Sequence, residues 1–142
     1  MVRPQGKAGA RSAFALRVYY EDTDLAGIVY YANYLKFIER ARSEWVRGLG
    51  VDQARLKAEA GIVFAVRRIE ADFLRPARFD DELRVETAVL AVTGARISLE
   101  QEVFRGGEKL FAAQVVLVCL TDSGHPARLP AEVRLRLAPV HH

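Results

Sequence analysis

The hydrophobic pattern changes its period once along the chain, and this change restricts the possible folds most. In residues 34–49 apolar side chains recur every three or four positions, as on one face of an amphipathic helix. After Gly61 apolar and polar residues alternate with a period of two, which defines four extended runs: 62–74, 82–93, 95–105 and 109–121. One long helix followed by long strands predicts an α+β fold, in which a single antiparallel sheet packs against the helix.

Turn and capping residues divide the predicted elements from one another. Asp52 is expected to cap a short second helix over residues 53–60, which Gly61 ends. Residues 93–94 and 106–107 contain glycine and have the length of hairpin turns. The last three extended runs are therefore predicted to be antiparallel neighbours in the sheet.

The length of 142 residues, 51% of them hydrophobic, suits one domain with a core of its own. We predict a single domain over residues 13–138, a flexible N-terminal tail over 1–12 and a C-terminal tail over 139–142. Within the domain, β-branched and aromatic residues predict a first strand at 14–20, and residues 131–137 predict a short helix or an edge strand.

Charge and cysteine content exclude several classes of protein. Lysine and arginine exceed the acidic residues by only three, which gives no support to nucleic-acid binding. A single cysteine, Cys119, cannot form an intrachain disulfide, and residues 1–11 lack the apolar core of a secretory signal, so a cytoplasmic protein is expected. The apolar run 111–120 contains Gln114 and is shorter than the ~20 residues that cross a bilayer, so no transmembrane segment is predicted.

The common catalytic and nucleotide-binding motifs are absent. The chain has no phosphate-binding glycine loop of the Walker or Rossmann type, no GxSxG nucleophile elbow and no HExxH zinc motif. His125 is the one histidine before the two that end the sequence. Catalysis would therefore have to use carboxylates, tyrosines, backbone amides or water.

Residues 19–34 combine three carboxylates and five tyrosines just before the long helix. The N-terminus of a helix presents unpaired N–H groups and a positive dipole, which polarise a carbonyl, and an adjacent carboxylate can activate water. The alternative interpretation is a solvated acidic loop anchored by its tyrosines. Asp22 is expected to bond within its own turn and Glu21 to be exposed.

This segment also carries a resemblance to a known family. The run D-x-D-x-x-G-I-V-Y followed by N-Y resembles the opening motif of the 4-hydroxybenzoyl-CoA thioesterase-like hotdog family, and within it the acyl-CoA thioesterases associated with the Tol-Pal system. Runs 75–81, 115–119 and 128–130 are also similar to that branch, and the resemblance extends over 14–137.

The resemblance implies a hotdog fold, in which a curved antiparallel sheet wraps the long helix. It implies a homodimer, often paired into a homotetramer, with active sites at the subunit interface. The implied activity is hydrolysis of thioesters of coenzyme A or of acyl carrier protein, without a metal or organic cofactor.

The family's site residues can be placed on this sequence. The catalytic aspartate falls on Asp24, which would act as general base or as nucleophile, and the amide that polarises the thioester carbonyl falls on the backbone of Tyr31. Gly27 and Asn33 are assigned to substrate binding. For Asn33 a helix cap is the favoured interpretation, and orientation of the aspartate or of water is the other.

Two departures from the family pattern narrow the expected substrate. Leu25 and Ala32 stand where the enzymes for aromatic substrates have proline, so a hydroxybenzoyl group is not favoured. Tyr31 stands where many Tol-Pal-associated members have histidine, which leaves the backbone amide but no imidazole. The rival function is a non-catalytic module that binds acyl thioesters or an envelope complex; a dehydratase is disfavoured because the helix has no histidine.

Two further sets of residues are interpreted from their types alone. The tyrosines Tyr20, Tyr30 and Tyr34 are predicted to be core side chains rather than site residues. Coenzyme A is anionic, so the exposed cations that could contact its phosphates are Arg67, Arg68, Arg75 and Arg78, although exposed strand arginines are common.

Overall fold

A computed structural model describes residues 11–137 of the chain. Residues 1–10 and 138–142 lie outside the described part. They include most of the two predicted tails, 1–12 and 139–142. The elements in chain order are β1 (Ser12–Arg17), α1 (Asn33–Gly48), α2 (Gln53–Ala60), β2 (Ile62–Phe73), β3 (Glu82–Val92), β4 (Arg96–Arg105), β5 (Glu108–Thr121) and α3 (Ala131–Leu137).

The five strands form one antiparallel sheet in the order β1-β3-β4-β5-β2. The two predicted hairpins are confirmed, because β4 pairs with both β3 and β5. Strand β2 pairs along β5 from Ile62 opposite Thr121 to Phe73 opposite Phe111. Register shifts in three of the four strand pairs mark bulges, which bend strands and let the sheet curve around a helix.

Helix α1 lies on the inner face of the sheet, against β1, β3 and β4. The predicted apolar stripe is buried at Tyr34, Phe37, Ile38, Ala41 and Trp45. Burial of one side chain such as Phe37 or Ile38 contributes about 1.5–3 kcal/mol, so this stripe holds the helix in place. The α+β prediction is confirmed.

A hydrogen-bonded polar network joins the middle of α1 to the middle of the sheet. The buried Gln101 amide donates to the Ile38 carbonyl and to Thr87 Oγ1, both at 2.9 Å. Its oxygen accepts a 3.0 Å hydrogen bond from the buried Arg42 guanidinium. Burial lowers the pKa of this guanidinium, which Glu39 opposes through its charge.

The capping signals identify the second helix correctly. Helix α2 begins after Asp52, whose carboxylate accepts a 3.0 Å hydrogen bond from the Arg55 N–H. It ends at Gly61, whose φ of 66° lies in the left-handed region that favours glycine. Of the two predictions for residues 131–137, the helix is confirmed.

The first strand begins and ends earlier than predicted. Sequence assigns Arg11 and Ser12 to the flexible tail, but β1 begins at Ser12. Arg11, directly before it, forms ion pairs with Glu86 on the neighbouring β3 at 2.8 Å and with Glu102 on β4 at 2.6 Å. The strand ends at Arg17, and Tyr20–Asp22 form a short 3-10 turn instead. The Asp22 carboxylate stabilises that turn, which competes with continuation of the strand.

Among residues 11–137, no helix has the length and apolar character needed to span a membrane.

Candidate active site

Asp24 lies at the start of a tight, exposed hairpin between β1 and α1. Its N–H donates to the Ile28 carbonyl at 2.9 Å, and its carbonyl accepts from the Gly27 N–H at 2.9 Å. Gly27 has a φ of 79°, which requires the left-handed conformation at that position. Gly27 therefore shapes the turn that carries the aspartate, and it is not among the residues that line a cavity near the site.

The Asp24 carboxylate is exposed and makes one local contact. Its Oδ1 atom accepts a 2.9 Å hydrogen bond from the Ala26 N–H, which is an Asx turn. The bond fixes the orientation of the carboxylate. Leu25, the next residue, is fully exposed. The hairpin thus presents a carboxylate and an apolar side chain together at the surface.

Asp22 takes the structural role that the sequence predicted for it. The side chain is buried, and its Oδ2 atom accepts a 2.8 Å hydrogen bond from the Tyr19 N–H. Its carbonyl accepts from the Tyr30 N–H at 3.0 Å and from the Asn33 side-chain amide at 2.9 Å. Asp22 therefore ties the loop to the beginning of α1. Glu21 is exposed, as predicted.

Asn33 does not cap the helix, so the favoured interpretation of this residue is wrong. It is the first residue of α1, and the preceding Ala32 has no side chain that can act as a cap. The Asn33 amide is occupied by the Asp22 carbonyl, which lies on the loop rather than on Asp24 or within the helix. The residue locks the loop against the helix start.

The entry into α1 leaves two amides available. The N–H groups of Asn33, Tyr34 and Leu35 bond back to the carbonyls of the residues three positions before them. Within residues 11–137, the N–H groups of Tyr31 and Ala32 donate to no backbone carbonyl. Tyr31 is an exposed residue, and an unpaired amide at a helix start is a donor for an acceptor from outside the chain.

Tyr31 is one of the residues that line an apolar groove of ≈ 290 Å³. Aromatic rings form much of its wall, and the Tyr31 ring meets the Phe73 ring edge to face at a centroid distance of 6.0 Å. Phe73 is the last residue of β2 and Leu74 follows it. Their approach to the helix could not be read from sequence spacing. The lining residues are Ile28, Val29, Tyr31, Tyr34, Phe73, Leu74, Arg75 and Pro76.

Tyr34 joins this groove to the core. Its ring is stacked on Phe111 at a centroid distance of 5.0 Å, with the planes 4° apart, and it meets Phe73 edge to face at 5.7 Å. Its hydroxyl accepts a 3.0 Å hydrogen bond from the Ala77 N–H. Burial raises the pKa of the Tyr34 phenol, which keeps it protonated and neutral.

The prediction that three tyrosines are core side chains is correct for one of them. Tyr34 is a core side chain as predicted, but the same prediction is wrong for Tyr20 and Tyr30, which are 81% and 46% exposed. The 3-10 turn and the hairpin hold these two rings away from the helix stripe.

Of the four arginines predicted as possible contacts of coenzyme A, Arg75 lines the groove and pairs with Glu108 at 3.4 Å. The other three, Arg67, Arg68 and Arg78, are exposed.

A second groove of ≈ 310 Å³ lies between α2 and α3. Its walls carry charges of both signs, from Arg55, Glu59, Glu132 and Arg136, and none of the predicted site residues lines it. In the described part of the chain, no group of three histidine, cysteine or acidic side chains is placed to hold a metal ion.

Comparison with known proteins identifies the family. The profile described as "Thioesterase superfamily" matches residues 26–112, which is more than half of the chain. A protein of Haemophilus influenzae named acyl-CoA thioesterase YbgC is 43% identical over 132 residues, which cover 92% of this chain and 94% of the relative.

The chain belongs to the thioesterase superfamily.

Solved structures of this superfamily share the architecture described above. A probable thioesterase from Bartonella henselae superposes with a TM-score of 0.82 at 40% identity, covering 85% of this chain and all of the other. A 4-hydroxybenzoyl-CoA thioesterase bound to 4-hydroxybenzoyl-CoA superposes with a TM-score of 0.83 at 22% identity, covering 90% and 99% of the two chains, and shows the likeness in fold alone. The fold of this thioesterase-superfamily protein is the hotdog fold.

Proposed function

We propose that this protein hydrolyses acyl-CoA thioesters at the groove beside Tyr31. The observation that carries the proposal is a backbone amide at a helix start that donates to no backbone carbonyl and belongs to a residue lining an apolar groove of ≈ 290 Å³. An acyl chain can pack against the aromatic walls, and a thioester carbonyl can accept a hydrogen bond from the amide N–H. The relative that is 43% identical is named an acyl-CoA thioesterase, which agrees with this assignment.

In the proposed reaction the Tyr31 N–H binds the carbonyl oxygen and stabilises the negative charge that develops on it. Asp24 takes a proton from water, the resulting hydroxide attacks the carbonyl carbon, and the carbon–sulfur bond breaks. In the second route the Asp24 carboxylate attacks the carbonyl itself and forms a mixed anhydride, which water then hydrolyses. Either route releases a thiolate, whose conjugate thiol has a pKa near ~8.5, so little help from a general acid is needed.

We further propose that a second copy of the chain completes the site. Strands β1 and β2 each have one neighbour in the sheet of the described residues, and an open strand edge invites pairing. Apolar side chains are exposed around the hairpin and the end of β2, among them Leu25, Phe73 and Leu74. A homodimer, or a homotetramer built from dimers, would cover them. Light scattering at micromolar concentration that gives the 15.9 kDa mass of one chain would contradict this proposal.

The cellular setting is also a proposal. We base the cytoplasmic location on the single cysteine, Cys119, and the connection with the Tol-Pal system on the sequence resemblance. The choice between coenzyme A and acyl carrier protein is left to the assay below. The groove has one cation on its wall, Arg75, toward which the phosphates of coenzyme A would be drawn.

The experiment that tests the function is a thiol-release assay on a panel of acyl-CoA thioesters of increasing chain length, with acyl carrier protein thioesters as a second arm. Release well above the spontaneous rate on at least one thioester supports the proposal. The non-catalytic binding module is the second candidate, because the Asp24 carboxylate already accepts the Ala26 N–H. Calorimetric binding of acyl-CoA without thiol release would establish that module instead.

A further inference from the structure

Ala77 is bonded through both of its backbone polar groups to the two elements that carry the proposed site. Its N–H donates to the Tyr34 hydroxyl at 3.0 Å, and its carbonyl accepts from the Val29 N–H at 2.8 Å. Ala77 is fully buried, so water cannot replace either partner. A hydrogen-bonded connection therefore runs from the second residue of α1, across the loop after β2, to Val29.

Val29 closes the hairpin that presents Asp24. It forms an isolated antiparallel bridge with Thr23, the residue directly before Asp24. The neighbouring Ile28 accepts the Asp24 N–H at 2.9 Å and also forms a bridge with Arg78 on the same loop. The position of the hairpin relative to α1 therefore depends on the loop that contains Ala77.

The outer side of this loop has separate support. Arg105 donates to the Pro76 carbonyl at 3.2 Å and to the Asp81 carboxylate at 2.7 Å. Arg105 lies at the end of β4, so it attaches the loop to the sheet and not to the helix. The attachment of the loop to helix α1 comes through the Tyr34 hydroxyl, which lies one turn after the Tyr31 amide.

We propose that Tyr34 is a positioning residue, whose hydroxyl acts through Ala77 and, together with the Asn33–Asp22 hydrogen bond, fixes the distance between the Asp24 hairpin and the Tyr31 amide. This inference rests on the proposed function, because it assigns the two groups whose separation matters. A base and an oxyanion donor must both reach the same carbonyl, and a displacement of about 1 Å lowers the rate of such a reaction by roughly 10²-fold. The Tyr34 ring has a second task as a groove wall, which its hydroxyl does not share.

The substitution Tyr34→Phe separates the two tasks. The ring keeps its stacking on Phe111 and its place in the groove, while the Ala77 N–H loses its acceptor. We expect kcat for the best acyl-CoA to fall about 10- to 100-fold, with KM changed less than about threefold, because the apolar contacts with the acyl chain remain.

Two controls distinguish positioning from loss of stability. Ile97→Val shortens a buried side chain of β4 outside the groove, and it lowers stability by an amount similar to loss of one hydrogen bond. Tyr19→Phe removes the hydroxyl of an exposed tyrosine from the same segment. Both variants should keep the kcat and KM of the wild-type protein when each is assayed below its thermal transition.

Hydrogen exchange of the Val29 amide provides a readout that does not require activity. In Tyr34→Phe its protection should fall by about tenfold or more, because the Ala77 N–H loses its acceptor and the loop whose carbonyl holds the Val29 N–H loses its attachment to α1. An unchanged Val29 exchange rate overturns the proposal, as does an unchanged kcat, or a kcat that falls only as far as in Ile97→Val. If the wild-type protein releases no thiol, the proposed function fails, and the exchange experiment still decides whether Tyr34 holds the hairpin.

Discussion

Asp24→Asn tests the proposed site most directly, because it changes the chemistry of the carboxylate and leaves the shape of the turn. The hydrogen bond from the Ala26 N–H to Oδ1, 2.9 Å long, survives in asparagine, whose side-chain carbonyl is also an acceptor. Asp24 is exposed, so no buried charge is lost or stranded. The free energy of unfolding should therefore change by less than about 0.5 kcal/mol.

The effect on catalysis should be much larger. Removal of a positioned general base or nucleophile lowers the rate by about 10²–10⁴-fold, which corresponds to roughly 2.7–5.4 kcal/mol in the activation barrier. The acyl groove and the Tyr31 amide are untouched, so KM should change little. The measurements are steady-state thiol release and urea denaturation of the same preparation.

Asp22→Asn is the matched control, two residues earlier on the same loop. Asp22 is buried and accepts the Tyr19 N–H at 2.8 Å, so loss of its charge should lower stability by about 1 kcal/mol. The kcat of the Asp22→Asn variant should stay within about tenfold of the wild-type value, since the Asp22 carboxylate holds the loop and takes no part in the proposed reaction. A folded Asp24→Asn protein that retains more than about a tenth of wild-type kcat would refute the assignment of Asp24.

Three further predictions follow from the contacts described. Tyr31→Phe should retain most of the wild-type kcat, because the backbone N–H is the proposed donor; a loss beyond about 10²-fold in the thiol-release assay would instead implicate the phenol. Gln101→Leu should lower the free energy of unfolding by about 3–5 kcal/mol in urea titrations, since it strands the buried Arg42 guanidinium; a loss below about 1 kcal/mol would contradict this. Burial raises the pKa of the Cys119 thiol from 9.0 to about 11, so the native protein should resist alkylation at pH 8 while the denatured chain reacts. Because the thiol binds its proton more tightly when folded, its contribution to stability is present below pH 9.0 and is lost as the pH rises toward about 11.

Short-range patterns in the sequence identified most of the elements. Helix α2 was located within its observed bounds from Asp52 and Gly61, because a cap and a left-handed glycine act over one turn of chain. The two hairpins were identified from glycine turns for the same reason. The first strand was placed too late, since the competition between strand and 3-10 turn depends on the Asp22 carboxylate, which its residue type does not reveal.

The candidate site was only partly predictable. Asp24, Gly27 and Tyr31 lie on one continuous segment, so their proximity follows from the chain itself. Asn33 is predicted from its residue type to cap the helix, but the helix begins at Asn33 itself, and its side-chain N–H donates to a loop carbonyl eleven residues earlier. Phe73 and Leu74 were missed because they approach the helix from the far edge of the sheet.

By itself, the sequence determined the order of helix and strands, the face of α1 that is buried, and the segment that carries the carboxylate. These features depend on periodicity and turn chemistry, which act between residues close in the chain. Tertiary structure alone decided that β2 pairs with β5 and not with β3, which brings Phe73 beside Tyr34 and forms the groove. Alternation fixes which side chains of a strand face the core, but it leaves open which strand lies alongside, because backbone hydrogen bonds are the same for every partner.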